Sequence, residues 1–210
     1  MDYFSKKLIK TIYCVIIING DMMEILYGGA FNPPTLAHYE IIKYITNKFE
    51  DAKLIILPTN NFYKAKDAVS FLHRKKMLEL LLYPLNKDIE ISDYEITLDK
   101  YYGTYYTLKH FNNPCFVIGA DQLVYLDKWI KYPDVVIENK FIVFPRDNIN
   151  IQCVIEKDII LSEYKNNFII IDDFKEMDIS SSIYRDNNKE DIIMKSVLNY
   201  IKENKLYEVM

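Results

Sequence analysis

A chain of 210 residues, half of them apolar, is long enough to bury one sizeable hydrophobic core. With 18 Tyr, 11 Phe and only 5 Gly, the composition excludes a disordered or low-complexity protein. The net charge of −4 argues against a broad nucleic-acid surface and is compatible with one small basic pocket for phosphate groups.

The three cysteines, Cys14, Cys115 and Cys153, are far apart and show neither metal-ligand spacing nor pairing. Such usage is typical of a reducing compartment, and we expect a cytoplasmic protein with no protein-held metal. Cys115 lies in an apolar run and is expected to be a buried hydrophobic residue.

Residues 1–22 form an N-terminal extension of uncertain role. Lysines precede an apolar run at 12–18, which is shorter than the roughly 20 residues that cross a bilayer. No small-residue cleavage site of a secretory signal follows. An extra edge strand and a disordered tail are both open alternatives, and we expect no membrane association. A single domain is predicted over residues 23–207.

The stretch 28–38, Gly-Gly-Ala-Phe-Asn-Pro-Pro-Thr-Leu-Ala-His, joins a predicted strand at 25–27 to a predicted helix at 36–49. Glycine lets the backbone approach a ligand closely, and a helix start offers unpaired N–H groups to an anion. Thr35 is placed to cap the helix, and His38 lies one turn further on. The combination predicts a phosphate-binding site.

Apolar runs and helical spacings continue along the chain in alternation. Strands are predicted at 53–57, 89–96, 116–118, 140–144 and 168–171. Helices are predicted at 71–83, 123–129 and 191–207; a turn leading into a short helix is predicted over 103–111, and a short helix that contains Arg185 is predicted after the cap at 180–182. This alternation predicts an α/β fold with a doubly wound parallel sheet and a small C-terminal helical part. Ligands of such sheets bind beyond the carboxyl ends of the strands, where stretches 28–38, 58–66 and 119–121 are expected to lie.

A second cluster, Ile179 followed by Ser180, Ser181, Ser182 and then Arg185, places hydroxyl groups at a helix start and a guanidinium within the same turn. An arginine fork and hydroxyl donors make a phosphate clamp. Taken alone, the pattern is more typical of an ordinary serine cap with a solvated arginine. Together with the 28–38 stretch, the clamp is favoured.

Stretch 28–38 resembles the signature of the nucleotidylyltransferase superfamily, with Thr35 where the commonest form has His and Ala37 where it has Gly. Segments 103–108, 116–129, 179–185 and 197–207 are similar, in the same order, to motifs of the bacterial nicotinate-nucleotide adenylyltransferases. That family's Pro-Pro-His-Lys loop is replaced by residues 62–66, so the resemblance leaves open whether Lys64 or Lys66 takes its role.

The resemblance implies a Rossmann-like nucleotidylyltransferase fold and an enzyme of NAD biosynthesis. ATP and nicotinate mononucleotide would give nicotinate adenine dinucleotide and pyrophosphate, with Mg²⁺ arriving on ATP. His38, Thr35 and Arg185 are implied as catalytic. The implied ATP-binding residues are Gly28, Gly29, Ala30, Phe31, Thr35, His38, Gly119, Asp121, Ile179, Ser181, Ser182 and Arg185, and the implied substrate-binding residues are Asn60, Lys64, Thr107, Leu108, Trp129 and Ile130.

Three alternatives stay open at this point. The acceptor could be nicotinamide mononucleotide or phosphopantetheine on the same scaffold, and a non-catalytic nucleotide-sensing module would find its support only in residues 1–22.

His73 and His110 fall inside predicted helices and are expected to have no direct role. A homodimer is compatible with the sequence.

Overall fold

The computed structural model describes residues 23–60, 68–111 and 114–207. The N-terminal extension and the two lysines Lys64 and Lys66 lie outside the described residues. The strands of the described part are β1 (Glu24–Gly29), β2 (Lys53–Pro58), β3 (Ile89–Ile91), β4 (Cys115–Gly119), β5 (Lys140–Phe144) and β6 (Phe168–Ile170). Its α-helices are α1 (Leu36–Lys48), α2 (Phe71–Leu82), α3 (Tyr94–Thr97), α4 (Thr104–His110), α5 (Ala120–Leu123), α6 (Asp134–Ile137), α7 (Ile151–Lys157), α8 (Ile159–Glu163), α9 (Ser181–Asn187) and α10 (Lys195–Glu203).

The six strands pair in parallel in the order β3-β2-β1-β4-β5-β6. The order reverses between β1 and β4, so the crevice for a ligand lies where these two neighbours end. Stretches 28–38, 58–66 and 119–121 all begin at carboxyl ends of central strands, as the sequence predicted. The predicted doubly wound α/β fold is confirmed.

Both faces of the sheet are buried, which explains why its strands read as continuous apolar runs. Along β1, Ile25 and Tyr27 enter one hydrophobic cluster while Leu26 enters the other, because successive side chains of a strand point to opposite faces. Helices α1, α2 and α10 cover the first face, and α4 and α7 pack on the second. Cys115 is buried in the first cluster, as predicted, and burial raises the pKa of its thiol to about 11.

The single strand predicted at 89–96 is wrong, because β3 ends at Ile91 and helix α3 begins at Tyr94. The backbone N–H of Ser92 still donates to Ile56 O over 2.9 Å, but the Ser92 hydroxyl then accepts from the N–H of Tyr94 over 3.2 Å. Such a local side-chain bond turns the backbone away from the sheet ladder. The turn brings the next residue, Glu95, under the sheet edge.

The continuous helix predicted over 123–129 is also wrong. Helix α5 ends at Leu123, a 3₁₀ turn spans Leu126–Lys128, and Trp129 is extended. Helices α6, α7 and α8 were not predicted, since they have only 4, 7 and 5 residues and periodicity needs a longer window. No helix in the described ranges has the length and apolar character needed to cross a membrane.

Candidate active site

The segment that runs from the end of β1 towards α1, residues 28–33 and here called the glycine loop, is shaped by aromatic rings. Phe31 takes a φ of 48°, in the left-handed region, and its ring turns back over Gly29. A Cβ on Gly29 would lie 3.1 Å from the Phe31 ring, and one on Gly28 would lie 3.1 Å from the Phe116 ring. Both glycines therefore make room for side chains of the protein, in addition to any ligand.

Thr35 and His38 form the start of α1. Thr35 is the N-cap residue, and its backbone N–H donates to Nδ1 of His38 over 2.9 Å. The Thr35 Oγ1 also lies 2.8 Å from the same nitrogen. Because a backbone N–H can only donate, Nδ1 must accept, and the ring proton of a neutral His38 belongs on Nε2. His38 is thereby fixed as a donor through Nε2.

Burial, reinforced by the positive charge of Arg146, lowers the pKa of His38 to about 4. The imidazole is therefore neutral near pH 7. Its ring packs edge-on against Phe31 at a centroid distance of 5.1 Å and lies 6.3 Å from the ring of Tyr27. These aromatic neighbours remove water from His38, which is the physical cause of the shift.

The serine and arginine cluster contacts the same glycine loop. Arg185, on α9, donates to the carbonyl oxygen of Asn32 over 2.5 Å and to the hydroxyl of Ser182 over 3.1 Å. Ser181 donates to the carbonyl oxygen of Pro33 over 2.8 Å, and Ser180 caps α9 through Ile183. Two segments about 150 residues apart thus meet, with His38 on one side of the loop and the α9 cluster bonded to its carbonyls.

A third charged group stands where β4 and β5 end. Arg146, two residues beyond β5, lies with its Nε 3.7 Å from a carboxylate oxygen of Asp121. A Cβ on Gly119 would lie 2.3 Å from the other Asp121 oxygen and 3.3 Å from Cδ of Arg146. Gly119 therefore lets this ion pair fold over the end of β4. From there the charge of Arg146 acts on the pKa of His38, and the charges of Arg146 and Asp121 act on the pKa of Tyr27.

A cavity of about 590 Å³ opens beside the glycine loop. Its lining includes Gly28, Gly29 and Ala30, together with Ile130 and the single tryptophan of the chain, Trp129. The cavity lining also includes Leu57, Thr59, Glu95, Tyr101, Thr104, Thr107, Phe116, Asp121, Gln122, Tyr125 and Lys128. An apolar, aromatic cleft of this size with a few polar groups suits a planar heterocycle attached to a polar moiety.

The inner end of this cavity holds a buried carboxyl group. Glu95 is 3% exposed; its Oε1 accepts from the Thr107 hydroxyl over 2.8 Å, and it also accepts a backbone hydrogen bond from Asn60. Oε2 has no hydrogen-bond partner among the described residues. Burial raises the pKa of Glu95 above its ordinary value, against the lowering effect of these two donors. Leu108, by contrast, is fully buried in the second hydrophobic cluster.

Residues 26–187 match the family model described as cytidylyltransferase-like. A protein of Acholeplasma laidlawii named "Probable nicotinate-nucleotide adenylyltransferase" is 37% identical over 193 residues, covering 89% of this chain and 98% of the relative. A protein of Clostridium acetobutylicum with the same name is 32% identical over 195 residues, covering 87% and 97%. This chain belongs to the nicotinate-nucleotide adenylyltransferase family.

The fold of this adenylyltransferase family member is also that of a solved structure. Plasmodium falciparum nicotinic acid mononucleotide adenylyltransferase, complexed with NaAD, superposes with a TM-score of 0.72 over 89% of this chain and 98% of that one. At 22% identity this likeness speaks for the fold alone.

In this adenylyltransferase the predicted residues fall into two groups around the glycine loop. Ser181 and Arg185 bond the carbonyl oxygens of Pro33 and Asn32, which lie along the chain between Gly28–Phe31 and the pair Thr35 and His38. Ser182 bonds Arg185, while Trp129, Ile130 and Thr107 line the cavity with Asp121. Ile179 and Asn60 are next to these groups along the chain, and Asn60 is 3% exposed. Their roles stay predictions, as does that of Lys64, which lies outside the described residues.

Sequence reasoning missed three charged residues of the site: Arg74, Glu95 and Arg146. Arg74 is 1% exposed and donates to the carbonyl oxygens of Ala30 at 2.8 Å, Thr59 at 2.7 Å and Val69 at 3.2 Å. Arg146 follows a predicted central strand, so its position at a strand end was a readable signal. Glu95 was hidden by its assignment to a strand, and nothing in its sequence context marks Arg74.

The two other histidines have structural surroundings. Nδ1 of His73 lies 2.8 Å from the hydroxyl of Tyr200, and the ring of His110 stacks on Tyr94 at a centroid distance of 3.8 Å. Neither contacts the glycine loop, in keeping with the expectation that they have no direct role.

Proposed function

We propose that this member of the family transfers the adenylyl group of ATP to nicotinate mononucleotide. An oxygen of the mononucleotide phosphate attacks the α-phosphorus of ATP, the bond from that phosphorus to the α,β-bridging oxygen breaks, and pyrophosphate leaves. The observation that carries the proposal is the meeting of Arg185 and Ser181 with the glycine loop that leads into the His38 helix. Two sets of hydrogen-bond donors on one loop suit a polyphosphate, which carries several charged oxygens.

The chain's own contribution is positioning and charge stabilisation, because transfer at phosphorus needs no protein nucleophile. The Nε2–H of His38 would donate a hydrogen bond to a phosphate oxygen, and with a pKa of about 4 the ring does so as a neutral group. The remaining donors of Arg185 would face the other side of the triphosphate. Arg146 would add a cation to the site, beside Asp121.

The two ends of the dinucleotide product would occupy different parts of the site. Gly119, Asp121 and Ile179 are the residues proposed for the adenosine side. The pyridine ring would stack on Trp129, with its carboxylate near Ile130 and the start of α4 at Thr104. Gly103 supports this arrangement, since its φ of 103° and the Ile130 side chain, 2.8 Å from where a Cβ would lie, leave no room for another residue.

Magnesium is proposed as part of the substrate, bound to the oxygens of ATP. In the described ranges no group of three or more His, Cys, Asp or Glu side chains could hold a metal ion. The side chains of the described residues therefore suit an ion that keeps its water and phosphate ligands better than an ion coordinated mainly by protein. The ion would neutralise charge on the leaving pyrophosphate.

Nicotinate is proposed over nicotinamide mononucleotide because the relatives carry the nicotinate name. A cytoplasmic location is proposed on the separated cysteines, and no nucleic-acid partner on the net charge of −4. Two competing hypotheses remain: phosphopantetheine as the acceptor, and a purely nucleotide-sensing role. Measuring turnover with each acceptor distinguishes both from the proposal.

The deciding experiment incubates the protein with ATP, Mg²⁺ and, in separate reactions, nicotinate mononucleotide, nicotinamide mononucleotide or phosphopantetheine. Mass spectrometry identifies the adenylylated product, and pyrophosphate release gives the rate. We expect kcat/KM to be highest with nicotinate mononucleotide. A higher value with another acceptor would replace the substrate, and binding without any pyrophosphate release would favour the sensing module.

A further inference from the structure

Tyr207, which follows the last helix, reaches the glycine loop. After α10 the chain reverses, with Lys205 in the left-handed region at φ 51° and the N–H of Leu206 donating to Ile201 O over 3.0 Å. The reversal aims the Tyr207 hydroxyl at Oδ1 of Asn32, 2.7 Å away. These two residues are 175 positions apart in the chain.

Asn32 is 3% exposed, so its side-chain amide depends on protein partners. Its Oδ1 accepts a second hydrogen bond, from the backbone N–H of Val69 over 3.3 Å. Both partners donate to the same oxygen, which fixes the orientation of the amide. The Asn32 carbonyl oxygen is meanwhile held by Arg185, so the side chain and the backbone of this residue are fixed together.

Tyr207 is also packed against the helix that carries Arg185. Its ring meets the ring of Tyr184, on α9, edge-on at a centroid distance of 5.8 Å. Its phenol lies within electrostatic reach of both Arg74 and Arg185, and its burial raises its pKa, so it is a neutral donor. One side chain thus touches the loop and the helix that the proposed function brings together.

We propose that Tyr207 is a positioning residue for adenylyl transfer: its hydroxyl holds the Asn32 amide, and through it the glycine loop, in the shape that receives the nucleotide. This inference rests on the proposed function for its kinetic consequence, although the loop order that it describes is measurable without turnover. Tyr207 then belongs to the active site although it touches no reacting atom. Its contribution is preorganisation of a loop that must meet a polyphosphate.

The test compares Tyr207→Phe with Tyr200→Phe. Each change removes one phenol hydroxyl with one hydrogen bond from the C-terminal region, but Tyr200 bonds His73 rather than the loop. At an assay temperature well below the melting temperature of either variant, we expect Tyr207→Phe to lower kcat/KM for ATP about tenfold. This factor corresponds to about 1.4 kcal/mol. Tyr200→Phe should stay within about twofold of the parent, a difference of about 0.4 kcal/mol. Equal losses in both variants, or a wild-type value for Tyr207→Phe, would overturn the inference.

Amide hydrogen exchange of the ligand-free protein provides the arm that needs no activity. Exchange at Gly29, Ala30 and Phe31 should be faster in Tyr207→Phe and unchanged in Tyr200→Phe. Unchanged exchange in both would overturn the inference even if the enzyme is active. If the wild type forms no dinucleotide with any acceptor, the proposed function fails, while this measurement still decides the role of Tyr207.

A double-mutant cycle identifies the residue through which Tyr207 acts. In an Asn32→Ala background, adding Tyr207→Phe should cost no further kcat/KM, since the bond is already absent. Multiplicative losses would show that Tyr207 acts through another contact and would overturn the assignment to Asn32.

Discussion

Nδ1 of His38 accepts a hydrogen bond of 2.9 Å from the backbone N–H of Thr35, three residues earlier. The ring thereby takes the place that a glutamate side chain usually takes at the third position of a capping box. The same hydrogen bond therefore caps the helix and orients the imidazole that we propose as catalytic. A superfamily position that is more often histidine is occupied by Thr35, and its hydroxyl also lies against the His38 ring, at 2.8 Å.

Removing the His38 ring should slow turnover without unfolding the protein. We expect His38→Ala to lower kcat by about 10²–10³, the usual effect of losing one preorganised donor to developing charge. His73→Ala is the matched control, because it removes an imidazole that contacts Tyr200 instead of the loop. Steady-state pyrophosphate release, with circular dichroism as the check on folding, makes the comparison. Near-normal turnover of His38→Ala would remove His38 from the mechanism.

The titration of His38 should be visible in stability. Its pKa is about 4 in the folded protein against an ordinary value of 6.5, so between these values the unfolded chain binds a proton that the native protein does not. The free energy of unfolding should therefore fall as the pH is lowered from 6.5 towards 4. Denaturant unfolding should show a smaller fall in His38→Gln, which cannot titrate there.

NMR titration of the His38 ring tests the cause of this shift. The Nε2–H tautomer and a midpoint near pH 4 are expected in the wild type, and Arg146→Met should move the midpoint upward by removing a nearby positive charge. A wild-type midpoint close to 6.5 would contradict the buried, neutral imidazole.

The single tryptophan gives a direct probe of the pyridine end of the cavity. Trp129 lines the cavity and packs edge-on against Phe116 at a centroid distance of 6.2 Å. Nicotinate mononucleotide should change its fluorescence at concentrations near KM, whereas ATP alone should leave it nearly unchanged.

Shortening the same side chain should act on one substrate only. Trp129→Ala should raise KM for the mononucleotide about tenfold, within the range of a lost aromatic stacking contact, and Trp129→Phe should recover most of that. An increase in KM for ATP of the same size would place Trp129 elsewhere in the site.

Glu95 should cost the protein stability at neutral pH. Burial raises the pKa of its carboxyl group in the folded protein. When the pH is above the ordinary pKa of glutamate, the unfolded chain ionises this carboxyl more readily than the native protein does, which favours unfolding. The free energy of unfolding should therefore be higher in Glu95→Gln than in the wild type at pH 7.5, and the difference should shrink at acid pH. Glutamine can still accept from the Thr107 hydroxyl, so Thr107→Val is the matched control that leaves the carboxyl without this donor. A Glu95→Gln variant that is less stable at pH 7.5 would contradict this reading.

The sequence by itself determined the fold class and singled out the two segments, 28–38 and 179–185, that contact each other in the structure. Apolar runs mark the four inner strands because both faces of the sheet are buried, and Gly, Pro, Thr and Ser mark the termini that follow them. Local chemistry was enough to predict Thr35 and Ser180 as helix caps, since a cap is a contact between residues three apart.

Only the tertiary structure decided which distant groups complete the site. Arg74, Arg146, Glu95 and Tyr207 reach it through tertiary contacts, and no local pattern encodes them. Glu95, for example, bonds Thr107, 12 positions away, and Tyr207 bonds Asn32, 175 positions away. The neutral state of His38 likewise depends on burial by Tyr27 and Phe31 and on the charge of Arg146, which arise only when the sheet is assembled. Sequence patterns report what a residue does with its neighbours along the chain, whereas desolvation and long-range charge are properties of the folded molecule.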